Sequence, residues 1–198
     1  MQSTRISLLA NARAGSEHAW TRLVELYQPL VYGWLRRHDV AHHDAEELTQ
    51  EVLTVVVQEL PRFSHSGNRG AFRHWLRQVT VNRAKGFWRS GKLRPAATGD
   101  SNFREIIDQL ADDGSEISKL WDREYDNHVL RQLLQQVESE CEPATFQAFR
   151  RLVFEEHTAA DVARDLGLTI GATYSARARV LRRLRELAAG IIDLPSFS

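Results

Sequence analysis

Cysteine, methionine and proline are scarce in this chain: one Cys, one Met and five Pro in 198 residues. A single thiol, Cys141, permits no disulfide within the chain, which fits a reducing cytoplasm. No run approaches the ~20 apolar residues of a membrane-spanning helix, so no membrane insertion is expected. Residues 1–10 carry one Arg and no long apolar stretch before small residues, which is not the pattern of a signal peptide. Phosphate-cradling glycine loops and nucleophile motifs are missing, so catalysis is not expected. His38, His42 and His43 have no Cys nearby, and with Asp44 and Glu46 they match no familiar ligand spacing; no metal or cofactor is expected.

Net charge is missing too, because 26 Lys and Arg balance 26 Asp and Glu. The balance conceals segregation. Residues 1–95 hold 14 basic and 8 acidic side chains (+6), residues 96–145 hold 4 and 12 (−8), and residues 146–198 hold 8 and 6 (+2). Basic ends suit a polyanion such as DNA.

What is present is helical periodicity. Ile6, Leu8 and Leu9 suggest a short first helix, and Gly15-Ser16 reads as a stop followed by an N-cap. Trp20, Leu23, Val24 and Tyr27 recur at helical spacing. Pro29 punctuates, and Leu30, Val31, Trp34 and Leu35 continue the apolar face. Further helices are predicted from about Asp44 to Leu60 and from about Ala71 to Arg89. Gly91, Pro95, Gly99, Asp112, Asp113 and Gly114 then interrupt the pattern, leaving room only for a short helix over Phe103–Leu110. Periodicity returns at Val129, Leu130, Leu133 and Leu134 and continues to the end. The expected fold is all-α: two small helical domains, 1–94 and 127–198, joined by a flexible acidic linker over 95–126.

Residues 158–185 have helix-turn-helix spacing. Thr158 caps a first helix with Asp161 three residues on, Ala163 is small where two helices would cross, Gly167 supplies a positive φ, and Thr169 caps the second helix. Val162, Leu166, Val180, Leu181 and Leu184 are the expected core. Tyr174, Ser175, Arg177 and Arg179 face outward, with Arg182, Arg183 and Arg185 following, as suits a helix entering the major groove. A helical hairpin with a solvated Arg face is the alternative.

The N-terminal half sets opposite chemistries side by side. Asp44 to Glu59 contains five acids and no Lys or Arg; Arg62 to Arg94 contains nine bases and no acid. Glu47, Glu51, Thr54 and Gln58 form one polar stripe, beside Leu48, Val52 and Val55. That stripe suits a basic protein partner or is a solvated face. In the basic segment, Phe63, Phe72, Trp75, Phe87 and Trp88 are interleaved with Arg69, Arg73, Arg77, Arg83, Lys85 and Arg89, a pattern suited to single-stranded DNA. Gln78, Asn82, Lys85 and Arg89 form its polar stripe, and the loop Ser64–Gly70 could wall a pocket for a flipped base. Phe72 and Trp75 read more simply as core.

In order, DAEELTQEVLTVVVQELPRF (44–63), AFRHWLRQVTVNRAKGFWR (71–89) and GLTIGATYSARARVLRRLRE (167–186) resemble three segments of RNA polymerase sigma factors of the extracytoplasmic-function (ECF) group. The segment around Trp121 is similar to a planctomycete-type subgroup. The resemblance implies two helical domains, regions 2 and 4, in a protein that binds core polymerase and recognises and opens promoter DNA. Asp44, Glu47, Leu48, Gln50 and Glu51 would face the clamp helices of the polymerase's largest subunit. Phe63, Arg69, Arg73, Asn82, Lys85 and Arg89 would handle the melted downstream (minus-ten) element. Thr169, Tyr174, Ser175, Arg177, Arg179 and Arg182 would read the upstream (minus-thirty-five) element. The acidic linker would run through the polymerase's basic channel, and an anti-sigma regulator is expected. The sequence departs from many members at Tyr174, often basic, and at Ala176, often Arg.

Overall fold

The computed structural model describes residues 8–63, 70–90, 100–195 and 197. Among these residues there are nine α-helices and no strand: α1 (Leu8–Arg13), α2 (Glu17–Arg37), α3 (His42–Glu59), α4 (Ala71–Arg89), α5 (Asp100–Ala111), α6 (Glu116–Glu140), α7 (Pro143–Val153), α8 (Ala159–Leu166) and α9 (Ile170–Ala188). The chain divides into two compact units. One comprises Leu8–Val129 with Gly190–Ile192; the other comprises Leu130–Ala189 with the described residues from Asp193 onward.

In the N-terminal unit, Ser16 caps α2, its Oγ accepting from the Ala19 amide at 3.3 Å. Helix α2 then runs unbroken through Pro29. Proline removes one backbone donor at a cost of about 3 kcal/mol in a helix interior. Here it lies on the exposed side, while Leu23, Leu26, Tyr27, Leu30, Val31, Trp34 and Leu35 are buried on the other. Burying such side chains contributes about 1.5–3 kcal/mol each, so the stripe outweighs the break. Helices α3 and α4 pack together, contributing Leu48, Val52, Phe72 and Leu76 to the core.

The predicted linker is where sequence and structure differ most. Its Gly91–Gly99 part lies outside the described residues. In the remainder the short helix expected over Phe103–Leu110 forms as α5, and a four-residue turn and the start of α6 follow it in place of a flexible tether. In that turn Asp112 Oδ1 accepts from the Gly114 amide at 2.9 Å, and Ser115 Oγ accepts from the Ser118 amide at 2.9 Å, capping α6. Phe103, Ile107 and Leu110 on α5 are buried, as are Trp121, Tyr125 and Val129 on α6. Both sets have helical spacing. Trp121 meets Trp34 edge-on at 5.3 Å between centroids. Tyr125 donates to the Ile191 carbonyl at 3.1 Å, which leaves Tyr27 to donate to the Tyr125 oxygen at 3.0 Å. Burial pushes both phenols well above their ordinary pKa.

The C-terminal unit matches the expected helix-turn-helix. Thr158 Oγ1 accepts from the Asp161 amide at 3.2 Å and donates to the Asp161 carboxylate at 2.7 Å. Those hydrogen bonds and Arg164 hold the Asp161 carboxyl below its usual range. Gly167 sits at φ 66°, and the Leu168 amide closes back on the Ala163 carbonyl at 2.8 Å. Thr169 Oγ1 caps α9, accepting from the Ala172 amide at 3.1 Å. Ala148, Val162 and Ala176 form a small core with Leu152, Leu166 and Leu168 against it.

Replacing Trp121 by Ala is expected to lower unfolding stability by about 3–5 kcal/mol, as for a large aromatic deleted from a core. Denaturant unfolding checks this; a side chain on a free tether would change stability by under about 0.5 kcal/mol.

Candidate nucleic-acid interface

Helix α4 carries cations of two kinds. Near its start, Arg77 is 3 % exposed and hydrogen-bonds Asp113, Asp122 (3.3 Å) and the Ser118 carbonyl (3.5 Å). Arg73 bonds Asp126 at 2.5 Å and lies 3.3 Å from Asp122. Burial alone would lower the Arg73 pKa, but the Asp126 hydrogen bond and the charges of Asp122 and Asp126 raise it. A guanidinium out of water needs such partners. Arg73, expected on the DNA face, is therefore committed to holding α6. Arg37, itself exposed, pairs with Glu124 on the surface. Asp113, Asp122, Glu124 and Asp126 of the acidic segment thus meet cations of α2 and α4 within the N-terminal unit.

The far end of α4 differs. Asn82, Arg83 and Arg89 are exposed, and Lys85 is half-buried. Helix α5 packs alongside, and the two helices border a cleft of about 510 Å3 lined by Asn82, Lys85, Trp88 and Arg89 on one side and Arg104 and Asp108 on the other. Lys85 Nζ lies 2.8 Å from Asp108, whose carboxyl that hydrogen bond holds below its usual range. The Arg104 guanidinium sits 4.9 Å over the Trp88 ring. The forces here are unequal. Burial of Phe103, Ile107 and Leu110 contributes about 1.5–3 kcal/mol per side chain. An exposed cation–π contact is worth about 0.5–1 kcal/mol, and an exposed ion pair adds little. Helix α5 is held by its apolar face, and the polar contacts across the cleft are exchangeable.

Phe63 is half-buried, tilted on Trp75 at 4.9 Å and edge-on to Phe72 at 5.7 Å. Phe72 is core. Arg69 and the loop 64–69 lie outside the described residues. On α3, Asp44 and Leu48 are buried, at 4 % and 0 %, so neither side chain is available to a partner. Asp44 lies in the first helical turn, where an acid complements the backbone dipole. Glu47 and Glu51 are half-buried and Gln50 is exposed, with Val57 exposed further along.

On α9, Thr169, Tyr174, Ser175, Arg179 and Arg182 are exposed. Arg177 is half-buried and donates to the Phe197 carbonyl at 3.2 Å. Arg183 forks onto Glu140 at 2.6 and 3.0 Å, tying α9 to α6. Ala176 faces the core, so an Arg could not occupy that position without displacing Val162 or Ala148. Ile170, overlooked in the sequence, is 51 % exposed one turn before Tyr174. Among the described residues no group of three or more His, Cys, Asp or Glu side chains could hold a metal, and no helix is long and apolar enough to cross a membrane.

Residues 23–94 match the family model for sigma-70 region 2. The chain carries a sigma-70 region 2 domain. The matched segment takes in most of α2 and all of α3 and α4. The region 2 domain indicates a sigma factor, which binds core RNA polymerase and melts promoter DNA. A search of curated proteins finds no match to the chain.

Within the region 2 domain the two kinds of cation separate by experiment. Arg77→Ala should lower unfolding stability by about 2–3 kcal/mol, because it strips carboxylates of a buried partner. Lys85→Ala should leave the denaturation midpoint nearly unchanged, since its ion pair is exposed. Equal losses would overturn the division.

Proposed function

We propose that this chain is a sigma factor of the ECF group, with α7 to α9 serving as region 4. The observation that carries the reading is the region 2 match, followed in the same chain by a helix-turn-helix capped at both helix starts. Glu47, Gln50 and Glu51 on α3 meet the clamp helices of the polymerase's largest subunit, with exposed Val57 adding apolar area. Asn82, Lys85 and Arg89 track the melted downstream strand, with Phe63 contributing from the other end of α4. Thr169, Tyr174, Ser175, Arg179 and Arg182 approach the upstream duplex, their cations meeting phosphates and their polar atoms base edges. Arg177 joins them once it leaves the Phe197 carbonyl. The polymerase performs the chemistry, and this chain selects where it begins. Its place of action is the cytoplasm, where an anti-sigma protein would control it.

The test is transcription in vitro with purified core polymerase and genomic promoter fragments. Core binding and initiation at discrete start sites are expected. Failure of both, together with tight binding to duplex DNA alone, would point to a free-standing regulator. Glu47→Lys combined with Glu51→Lys should weaken core binding at least ~10-fold while leaving helicity intact; unchanged affinity would remove α3 as the contact.

A further inference from the structure

We propose that the cleft between α4 and α5 is a binding site for one unstacked nucleotide of single-stranded DNA, with Arg104 and Asp108 acting in the free protein as stand-ins on the groups that would hold it. The inference rests on α4 being the face that meets the melted strand, and it adds α5, which lies beyond the region 2 match, as the second wall. Each element that a nucleotide needs is present and already occupied by a side chain of matching chemistry. Lys85 holds the Asp108 carboxylate at 2.8 Å, where a phosphate oxygen would sit. Trp88 holds a flat guanidinium at 4.9 Å, where a base would stack. Arg83, Lys85, Arg89 and Arg104 set four cations against the one acid Asp108 along the lining. A cleft of about 510 Å3 lies within the roughly 300–1,000 Å3 that small ligands occupy.

The balance of forces decides how the site opens. Helix α5 stays in place, because Phe103, Ile107 and Leu110 are buried beneath it. The two polar contacts exchange instead: phosphate replaces the Asp108 carboxylate on Lys85, and the base replaces Arg104 on Trp88. No covalent bond changes.

The experiment measures binding of a fluorescently labelled, mixed-sequence DNA single strand to the full chain by anisotropy at about 50 mM and about 200 mM salt. Asp108→Asn should tighten binding about 3-fold at the lower salt, a gain that a merely structural Asp108 would not produce. Trp88→Ala should weaken it about 10-fold, with Trp88→Phe retaining most of the affinity because a ring remains to stack on. Thermal melting of each variant guards against a folding defect. Amide protection of α5 should persist with the strand bound.

If Lys85→Ala weakens binding while Asp108→Asn and Trp88→Ala leave it unchanged, the cleft is overturned and the α4 face stands. Loss of α5 protection on binding also overturns the cleft, since the helix would then be displaced. If Lys85→Ala changes nothing either, or no strand binds at the lower salt, the reading of α4 falls together with this one.

Discussion

A guanidinium inside an apolar unit has to find carboxylates, and Arg77 finds them far along the chain. Asp113 and Asp122 lie 36 and 45 residues beyond it, and Asp126 lies 53 residues beyond Arg73. Satisfying these two cations draws the start of α6 against α4. Trp121 and Tyr125 then enter the core beside Trp34 and Tyr27. Once α6 is anchored there, the Asp112–Ser115 turn directs α5 along the far end of α4. That clasp sets where the acidic segment lies, and burial of Trp121 and Tyr125 on α6 and of Phe103, Ile107 and Leu110 on α5 holds it there.

The same residue type therefore has two fates on one helix. Arg73 and Arg77 are structural because carboxylates reach them where water is scarce, Arg77 being buried and Arg73 half-buried. Arg83 and Arg89, toward the end of the helix, face outward, and Lys85 pairs with an exposed acid. Helix α9 repeats the division. Arg183 is locked onto Glu140, while Arg179 and Arg182 are exposed. In both units the cations available to the proposed DNA surface are those left over after the fold has used the others, so counting basic residues overstates what is available.

The acidic helix α3 shows the complementary limit. Its five proposed contact residues span two turns and come from the resemblance to sigma factors, whereas the spacing sets a polar stripe, Glu47, Glu51, Thr54 and Gln58, apart from an aliphatic face with Leu48 on it. A helix turns through about 100° per residue, so Asp44 and Leu48, one turn apart, share a face. That face is the buried one, and Gln50, with the edges at Glu47 and Glu51, is what remains outside. The periodicity separates Leu48 from the Glu47/Glu51 stripe, and burial of the Asp44/Leu48 face agrees with it.

What the sequence determined by itself is what the backbone decides within about four residues. Ser16, Thr158 and Thr169 cap helices because their oxygens reach an amide three residues on. Gly167 turns the chain because it tolerates a positive φ, and the α4 limits Ala71 and Arg89 were legible as written. The helix-turn-helix, whose signals are all local, could be read almost completely. Tertiary structure alone decided that the acidic segment is folded, that Arg73 is spent on α6 and that Arg104 meets Trp88. Glycines, proline and acids near residues 91–118 resembled a tether, and the stripes Phe103/Ile107/Leu110 and Trp121/Tyr125 were too short to overrule them. Burial and ion pairing between segments tens of residues apart depend on where the chain returns, and helical periodicity reports which side of a helix is apolar without saying what will cover it.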